Sequence, residues 1–442
     1  MYLTKRLFKG DRYIWGIYIT LILISCIVSY SASSVLAFRN THYYAPIISH
    51  VKHLFYGFIV MILASQIATR YYQLLGGIAL VLSPLLLFFV QMTPEVNGAN
   101  RNMWGFQPSE IAKFACVFAC AYFLNSGMIK GQIGIHKNPL RMAIFLPLFL
   151  AGFVALDNLS TGILIMAVIY TMVFVGGMRL KSFFKYIVGI NLLFVVMSVA
   201  ALFSLPSDYM PSRATTWKSR IEKIFQDEEP LVHQKLTDSN QQVIYGHMAV
   251  ARGGVIGNGL DSQLCDFLPL AFSDFVFSII IEMFGMVLGG GFMIFLYLAL
   301  LVRGLIIFRQ CNNPFLGFMM LGLILLIVYQ SLINMAVGVG LGPVTGQPLP
   351  LVSRGGTSIL VISGFFGLIQ GICNRTNGSD SQSDDDLGWE YLEEIDEEED
   401  ETGLVQTETS VVKKIAVEEP VIVPVEKENP IESEENNTIY PY

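Results

Sequence analysis

Four polar clusters interrupt an otherwise apolar chain, and each holds residue types suited to acid–base or anion chemistry. The most informative is RGGVIGNGLDSQLCDFLPLAFSDFVFSIIIEMFG, residues 252–285, which opens glycine-rich behind Arg252 and ends as an apolar helix. At the junction stands Asp274, a carboxylate where water meets hydrocarbon. An ionised acid in that place is costly unless something uses it. The bland alternative is a helix N-cap. Glu282 is a second acid, set inside the apolar run itself.

The second cluster is NGANRNMWGFQPSEIAK, 97–113, a loop carrying Arg101 that feeds a helix at Pro108. Glu110 and Lys113 share one face at i, i+3, and charges inside a span face the interior and pair. They read as a structural ion pair, as part of a polar site, or as both. The third is Asp157-Asn158-Leu159-Ser160-Thr161-Gly162, a polar turn with Ser160 as a serine N-cap for the helix that follows. The fourth is GQPLPLVSRGGTS, 346–358, with Ser353, Arg354, Gly355, Gly356 and Ser358. Its glycines permit close backbone approach, and free N–H groups beside Arg354 suit an anion such as pyrophosphate. Gln330 and Asn334 add polar groups from the apolar run just before it. No cluster is specific alone; their convergence on one surface is the signal.

The elements that must position these residues are membrane helices. Of 442 residues 53% are hydrophobic and only 14% charged, with a mean hydropathy of +0.55. A soluble domain carries nearly twice that charge, so the class is an all-α integral membrane protein. Apolar runs predict ten transmembrane helices, at 14–36, 47–68, 74–91, 109–124, 141–156, 161–178, 184–205, 275–302, 315–336 and 357–373. The first is too long for a cleaved signal peptide. Fourteen Lys and Arg fall in one set of short loops and four (Arg39, Lys52, Arg101, Arg354) in the other. The positive-inside rule then puts both termini in the cytoplasm and the four clusters on the outer face.

Two segments depart from short connections. Residues 206–272 form a large extracytoplasmic loop between helices 7 and 8, in which Trp217, Ile221, Ile224 and Phe225 share one face suited to the membrane surface. Residues 374–442 hold 21 of the 35 acids and 4 of the 28 bases, net −17, leaving 14 acids and 24 bases, net +10, for residues 1–373. The chain therefore divides into a basic membrane domain, 1–373, and an acidic cytoplasmic tail expected to be disordered. Trp389, Tyr391 and Leu392 offer a docking peptide within that tail, against the plainer reading of a solvating segment. The six cysteines show no metal or disulfide spacing and read as small core residues.

Three motifs in order, NGA…FQPSEIAKFA, GG-x-x-G-x-G…FLP…SDF and TGQPLPLVSRGGTSIL, resemble the SEDS family of shape, elongation, division and sporulation proteins. The resemblance runs from about Ile14 to Cys373 and excludes the tail. It implies a peptidoglycan glycosyltransferase that polymerises lipid II at the outer face of the bacterial cytoplasmic membrane beside a class B penicillin-binding protein. The family's LPEAHTDFIFA reads LPLAFSDFVFS here, which carries the catalytic aspartate onto Asp274 and puts Leu270 and Phe272 where the family has glutamate and histidine. Glu282 matches the first acid of GEELG, with Met283 at the second. NGARRW becomes NGANRN, keeping Arg101, and PDLGT becomes Asp157-Asn158-Leu159-Ser160-Thr161, with Asn158 in the acid's place. Arg354 replaces a frequent tyrosine.

The implied reaction is inverting transfer with release of undecaprenyl pyrophosphate, Asp274 acting as base on the acceptor hydroxyl. Arg101, Lys113, Arg252, Arg354 or a divalent cation (Mg2+ or Mn2+) would balance the pyrophosphate; the metal ligands are not readable, and no organic cofactor or nucleic acid is expected. Tyr30-Ser-Ala-Ser-Ser, the ARGG segment and the long acidic tail favour the division (FtsW-like) branch, and hence septal cell-wall synthesis among other divisome membrane proteins, over the elongation (RodA-like) branch. The rival readings are a flippase or transporter for lipid-linked precursors, and a scaffold acting through its tail.

Overall fold

The computed structural model describes residues 10–31, 45–91, 107–128, 137–177, 240–259 and 274–377. Among them are eleven α-helices and no β-strand, because a backbone in hydrocarbon must satisfy its own N–H and C=O groups. The first six are α1 (Arg12–Ser31), α2 (Ala45–Gln66), α3 (Tyr72–Gln91), α4 (Pro108–Ser126), α5 (Lys137–Asp157) and α6 (Leu159–Val175). The remainder are α7 (Gln241–Gly253), α8 (Val276–Gly285), α9 (Phe292–Gln310), α10 (Pro314–Gly338) and α11 (Gly356–Asn377). Seven stretches are long and apolar enough to cross a membrane, and α6 is a shorter apolar helix. The expected span at 184–205, the amphipathic segment at 213–225, Arg101 and the acidic tail lie outside the described residues.

α10 is the central helix. Phe315 to Val328 are buried without a break, as an all-apolar helix must be to sit inside a bundle. Polar side chains enter only in its last turns, at Gln330, Ser331 and Asn334, all buried.

The expected single span at 275–302 needs correcting. Asn334 Nδ2 donates to the Asp274 carbonyl and Ser278 Oγ to the Gly338 carbonyl, so α8 and α10 step forward together and run parallel. α9 runs against α10: Gly304 faces Ile324, and the Phe308 and Phe318 rings lie 5.3 Å apart. The chain must therefore fold back between α8 and α9. It does so at Gly285, whose φ of +79° a side chain would strain. Beyond the turn Gly289 lies against Ile280 and Gly290 against Ile281.

The glycine-rich stretch braces this reversal. Asn258 N–H donates to Glu282 O at 2.9 Å, Gly259 N–H to Met283 O at 2.9 Å, and Met286 N–H to Gly254 O at 2.9 Å. The last carbonyls of α8, which no helix would satisfy, are thereby paired. A Cβ at Gly257 or Gly285 would collide with the opposing backbone.

At the opposite end of the bundle a lock ties α1, α9 and α11 together. Asp11 Oδ1 caps α1 by accepting from the N–H groups of Tyr13 (3.0 Å) and Ile14 (3.1 Å). Its Oδ2 accepts from Arg303 Nε (2.9 Å) and Nη2 (2.6 Å). Gln370 donates to the Asp11 carbonyl and accepts from its N–H.

Candidate functional site

Between α10 and α11 the chain does not stay at the rim. Tyr297 donates to the Pro350 carbonyl at 2.7 Å, which draws the 346–353 loop down beside α9. Ser353 Oγ accepts from Leu349 N–H at 2.7 Å and closes a tight turn. Within it Leu351 is held at φ +64°, the one positive-φ non-glycine among the described residues. Strain of this sort persists where the surroundings over-determine it, commonly at functional sites.

The loop carbonyls then receive the polar groups of α10. Gln330 Nε2 donates to Pro348 O at 2.8 Å. Asn334 Nδ2 donates both to Gln347 O at 2.8 Å and to Asp274 O at 2.9 Å. Gln347 Nε2 in turn reaches Thr161 Oγ1 at 2.6 Å, joining the N-terminus of α6 to the belt. From the other side Lys113 Nζ lies 2.8 Å from Glu110 Oε1 and 2.9 Å from Gln330 Oε1. Glu110 and Lys113 are 2% and 1% exposed, so this pair is desolvated, and its second oxygen, Glu110 Oε2, has no partner among the described residues. A buried ion pair of this kind is weak evidence for stability and good evidence of specified geometry.

Five of the residues singled out by type and spacing (Asp274, Glu110, Lys113, Gln330 and Asn334) are thus brought into one connected belt. Asp274 is level with Asn334, one turn short of the end of α10, and α8 climbs about 15 Å from there to the Gly285 turn. The acid is recessed below the rim. The first helical residue of α8 is Val276, and Phe275 at its N-cap position makes no side-chain cap. Asn158, rather than the expected Ser160, caps α6 by accepting from Thr161 N–H at 3.4 Å.

The remaining expectations scatter around this belt. Arg354 is exposed at the head of α11, with Gly355 and Gly356 half-buried and Ser358 buried. Arg252 is exposed at the end of α7, where its carbonyl accepts from Asn258 Nδ2 at 3.1 Å. Glu282 is fully buried in α8. Among the described residues no three His, Cys, Asp or Glu side chains gather as a cation site. Sequence reading missed Gln347, Tyr297 and Ser25, and missed His50 and His53, whose i, i+3 spacing in an apolar helix was the available signal.

A family model described as a cell cycle protein, FtsW/RodA/SpoVE, matches residues 11–378. The chain belongs to the FtsW/RodA/SpoVE family. The resemblance to SEDS proteins drawn from three motifs is thereby shown. A probable peptidoglycan glycosyltransferase FtsW of Geobacter sulfurreducens is 29% identical over 390 residues, 84% of this chain and 97% of the relative. The peptidoglycan glycosyltransferase MrdB of Escherichia coli K12 is 29% identical over 327 residues, 72% of this chain and 82% of the relative. Among solved structures, a chain of a peptidoglycan synthase complex that coordinates polymerization and crosslinking aligns with a TM-score of 0.64 at 21% identity, covering 84% of this chain and 99% of that one. A crystal structure of the rod shape determining protein RodA of Thermus thermophilus gives 0.57 at 19% identity, with the same coverage. These likenesses establish that the FtsW/RodA/SpoVE fold extends through the belt described above.

Proposed function

We propose that this chain is a peptidoglycan glycosyltransferase that polymerises lipid II, with Asp274 as the base. The observation that carries the reading is the Asn334 clamp, which fastens the backbone of the half-buried acid to a recessed belt of buried polar side chains. Preorganised polar groups in such a place act more strongly than in water. In the proposed step Asp274 takes the proton of the acceptor's GlcNAc 4-hydroxyl. That oxygen bonds to C1 of the donor's MurNAc with inversion as the C1–O bond to phosphate breaks. The electron pair leaves on undecaprenyl pyrophosphate, which needs no proton, so one carboxylate suffices where glycosidases use two.

Two relatives named as peptidoglycan glycosyltransferases support this activity. A chain aligned within a peptidoglycan synthase complex supports a class B penicillin-binding protein as partner. The longer match to an FtsW than to MrdB supports the division branch and a septal location, and the asymmetry of Lys and Arg between the loops supports cytoplasmic termini. The test is lipid II polymerisation by purified protein with its partner. Asp274→Ala should insert and melt as the wild type yet form no polymer; polymer at the normal rate would remove Asp274 from the reaction.

A second reading has one observation in its favour. A recessed polar belt beside a re-entrant loop and a folded-back helix also resembles the broken-helix sites of transporters. Lipid II translocation in sealed vesicles without polymer formation would select it.

A further inference from the structure

α2 turns His50 and His53 toward the 352–356 segment, and neither belongs to the belt. His50 is 2% exposed. Its Nε2 meets Ser25 Oγ at 2.8 Å, and that hydroxyl lies 3.3 Å from the Val352 carbonyl, so the ring is pinned against the loop. Its Nδ1 is buried without a hydrogen-bond partner among the described residues. Arg354 and His53 both lie within electrostatic reach of the ring.

His53 is placed by a different contact. Its Nδ1 stands 2.6 Å from the Ser49 carbonyl, so Nδ1 carries the proton and Nε2 is left to face α11. A Cβ on Gly356 would stand 2.8 Å from that Nε2. Glycine is therefore what lets the imidazole reach the first turn of α11, whose leading N–H groups have no acceptor within the helix and mark the positive end of its dipole. Arg354, exposed beside them, makes no ion pair among the described residues. One guanidinium, two imidazoles and a helix N-terminus converge with no paired carboxylate among the described residues. An anion answers both the unpaired guanidinium and the open donors.

We propose that His50, His53, Arg354 and the leading amides of α11 form a phosphate subsite that holds the diphosphate of the lipid-linked donor. Naming the donor diphosphate rests on the polymerase reading above; the phosphate chemistry does not. The guanidinium donates to two phosphate oxygens, the α11 amides to a third, and His53 Nε2 shares one proton with the phosphate. Gly356 is then a space requirement of the subsite rather than a turn residue.

The full chain in a phosphate-free maltoside detergent would be titrated with inorganic pyrophosphate and with undecaprenyl pyrophosphate. His53→Gln, Arg354→Gln and Gly356→Ala should each weaken both about tenfold, with His53→Gln melting as the wild type. Unchanged pyrophosphate binding in His53→Gln and Arg354→Gln would overturn the subsite. In nanodiscs, displacement of pyrophosphate by phosphatidylglycerol would reassign it to lipid headgroups and overturn the diphosphate assignment; persistence of the bound probe supports that assignment. Pyrophosphate binding that is lost in the variants, in a protein that forms no polymer, would sink the polymerase reading while upholding the subsite.

Discussion

A single nitrogen of Asn334 donates to two backbone carbonyls, 2.9 Å to Asp274 and 2.8 Å to Gln347. The carboxyl residue and the re-entrant loop, 73 positions apart in the chain, are held at one distance by one planar amide. Two N–H groups on one short, uncharged side chain are what the task requires.

Asn334→Ala leaves both carbonyls without a donor and frees the Asp274 segment. Displacement of a reacting group by about 1 Å costs on the order of 10²-fold in rate. The expected loss falls on kcat more than KM in steady-state polymerisation. Asn334→Asp, isosteric but lacking the donors, should be as poor; an active Asn334→Asp would refute the clamp.

Lys113→Met strands the Glu110 carboxylate in a site it shares with no other cation among the described residues. Removing one partner of a buried pair costs about 3–5 kcal/mol, while replacing both is often near neutral. Thermal melts should therefore show a large drop for Lys113→Met. Most of it should be recovered in Glu110→Gln/Lys113→Met, without recovery of polymer formation.

The Asp11 lock should fail in two grades. Asp11→Asn keeps the oxygen that caps α1 but loses the charge facing Arg303. Asp11→Ala loses both, at about 2–3 kcal/mol for a cap plus a charged hydrogen bond. Equal melting of the two variants would mean that the cap contributes nothing.

Gly285, at the reversal, and Gly291, at the end of the π-helical segment (Met286–Gly291) that leads into α9, should respond oppositely to alanine. At Gly285 a Cβ would meet the Val255 carbonyl and the backbone is at φ +79°. With ψ at +169° the residue lies in a region essentially confined to glycine, not in αL, so collision with backbone adds to a strain of about 1–3 kcal/mol. Gly291 is helical, with φ −62°, and the nearest atom to its Cβ is 3.8 Å away. Gly291→Ala should gain a few tenths to about 1 kcal/mol.

His247 gives the melt a pH dependence. Burial against α10 lowers its proton affinity below the usual histidine value of 6.5. The unfolded ring therefore takes up a proton before the folded one does. Stability is full above about pH 6.5 and falls as the pH drops below it. His247→Gln should flatten that part of the curve and leave the plateau near pH 8 unchanged.

Much of this was legible in residue types. A lone acid at an apolar boundary, an i, i+3 charge pair in a span and amides late in a central helix pointed to Asp274, Glu110, Lys113, Gln330 and Asn334. Apolar length pointed to seven spans among the described residues, since hydrocarbon leaves the backbone no other choice. What was hidden is direction. Hydropathy cannot distinguish one long helix from two that fold back, because both are apolar throughout; only Gly285 and the glycines of 253–259 carried that information. The Asp11 lock was invisible because its partners are 292 and 359 positions away. His50 and His53 look like isolated polar residues until Gly356 is placed against them.

The fold-back at Gly285 also makes α8 a ruler. The apolar run from Val276 to Gln310 has 35 residues, about 52 Å as one helix against a hydrocarbon core of roughly 30 Å. Turning back converts that surplus length into depth, with the glycine brace fixing one end of α8 and the Asn334 clamp holding Asp274 at the other. Removing one residue between Val276 and Phe284 would lift the carboxylate by about 1.5 Å and swing it by about 100°. The number of residues in this segment therefore matters more than their identity, and apolar exchanges there should be tolerated where a single deletion is not.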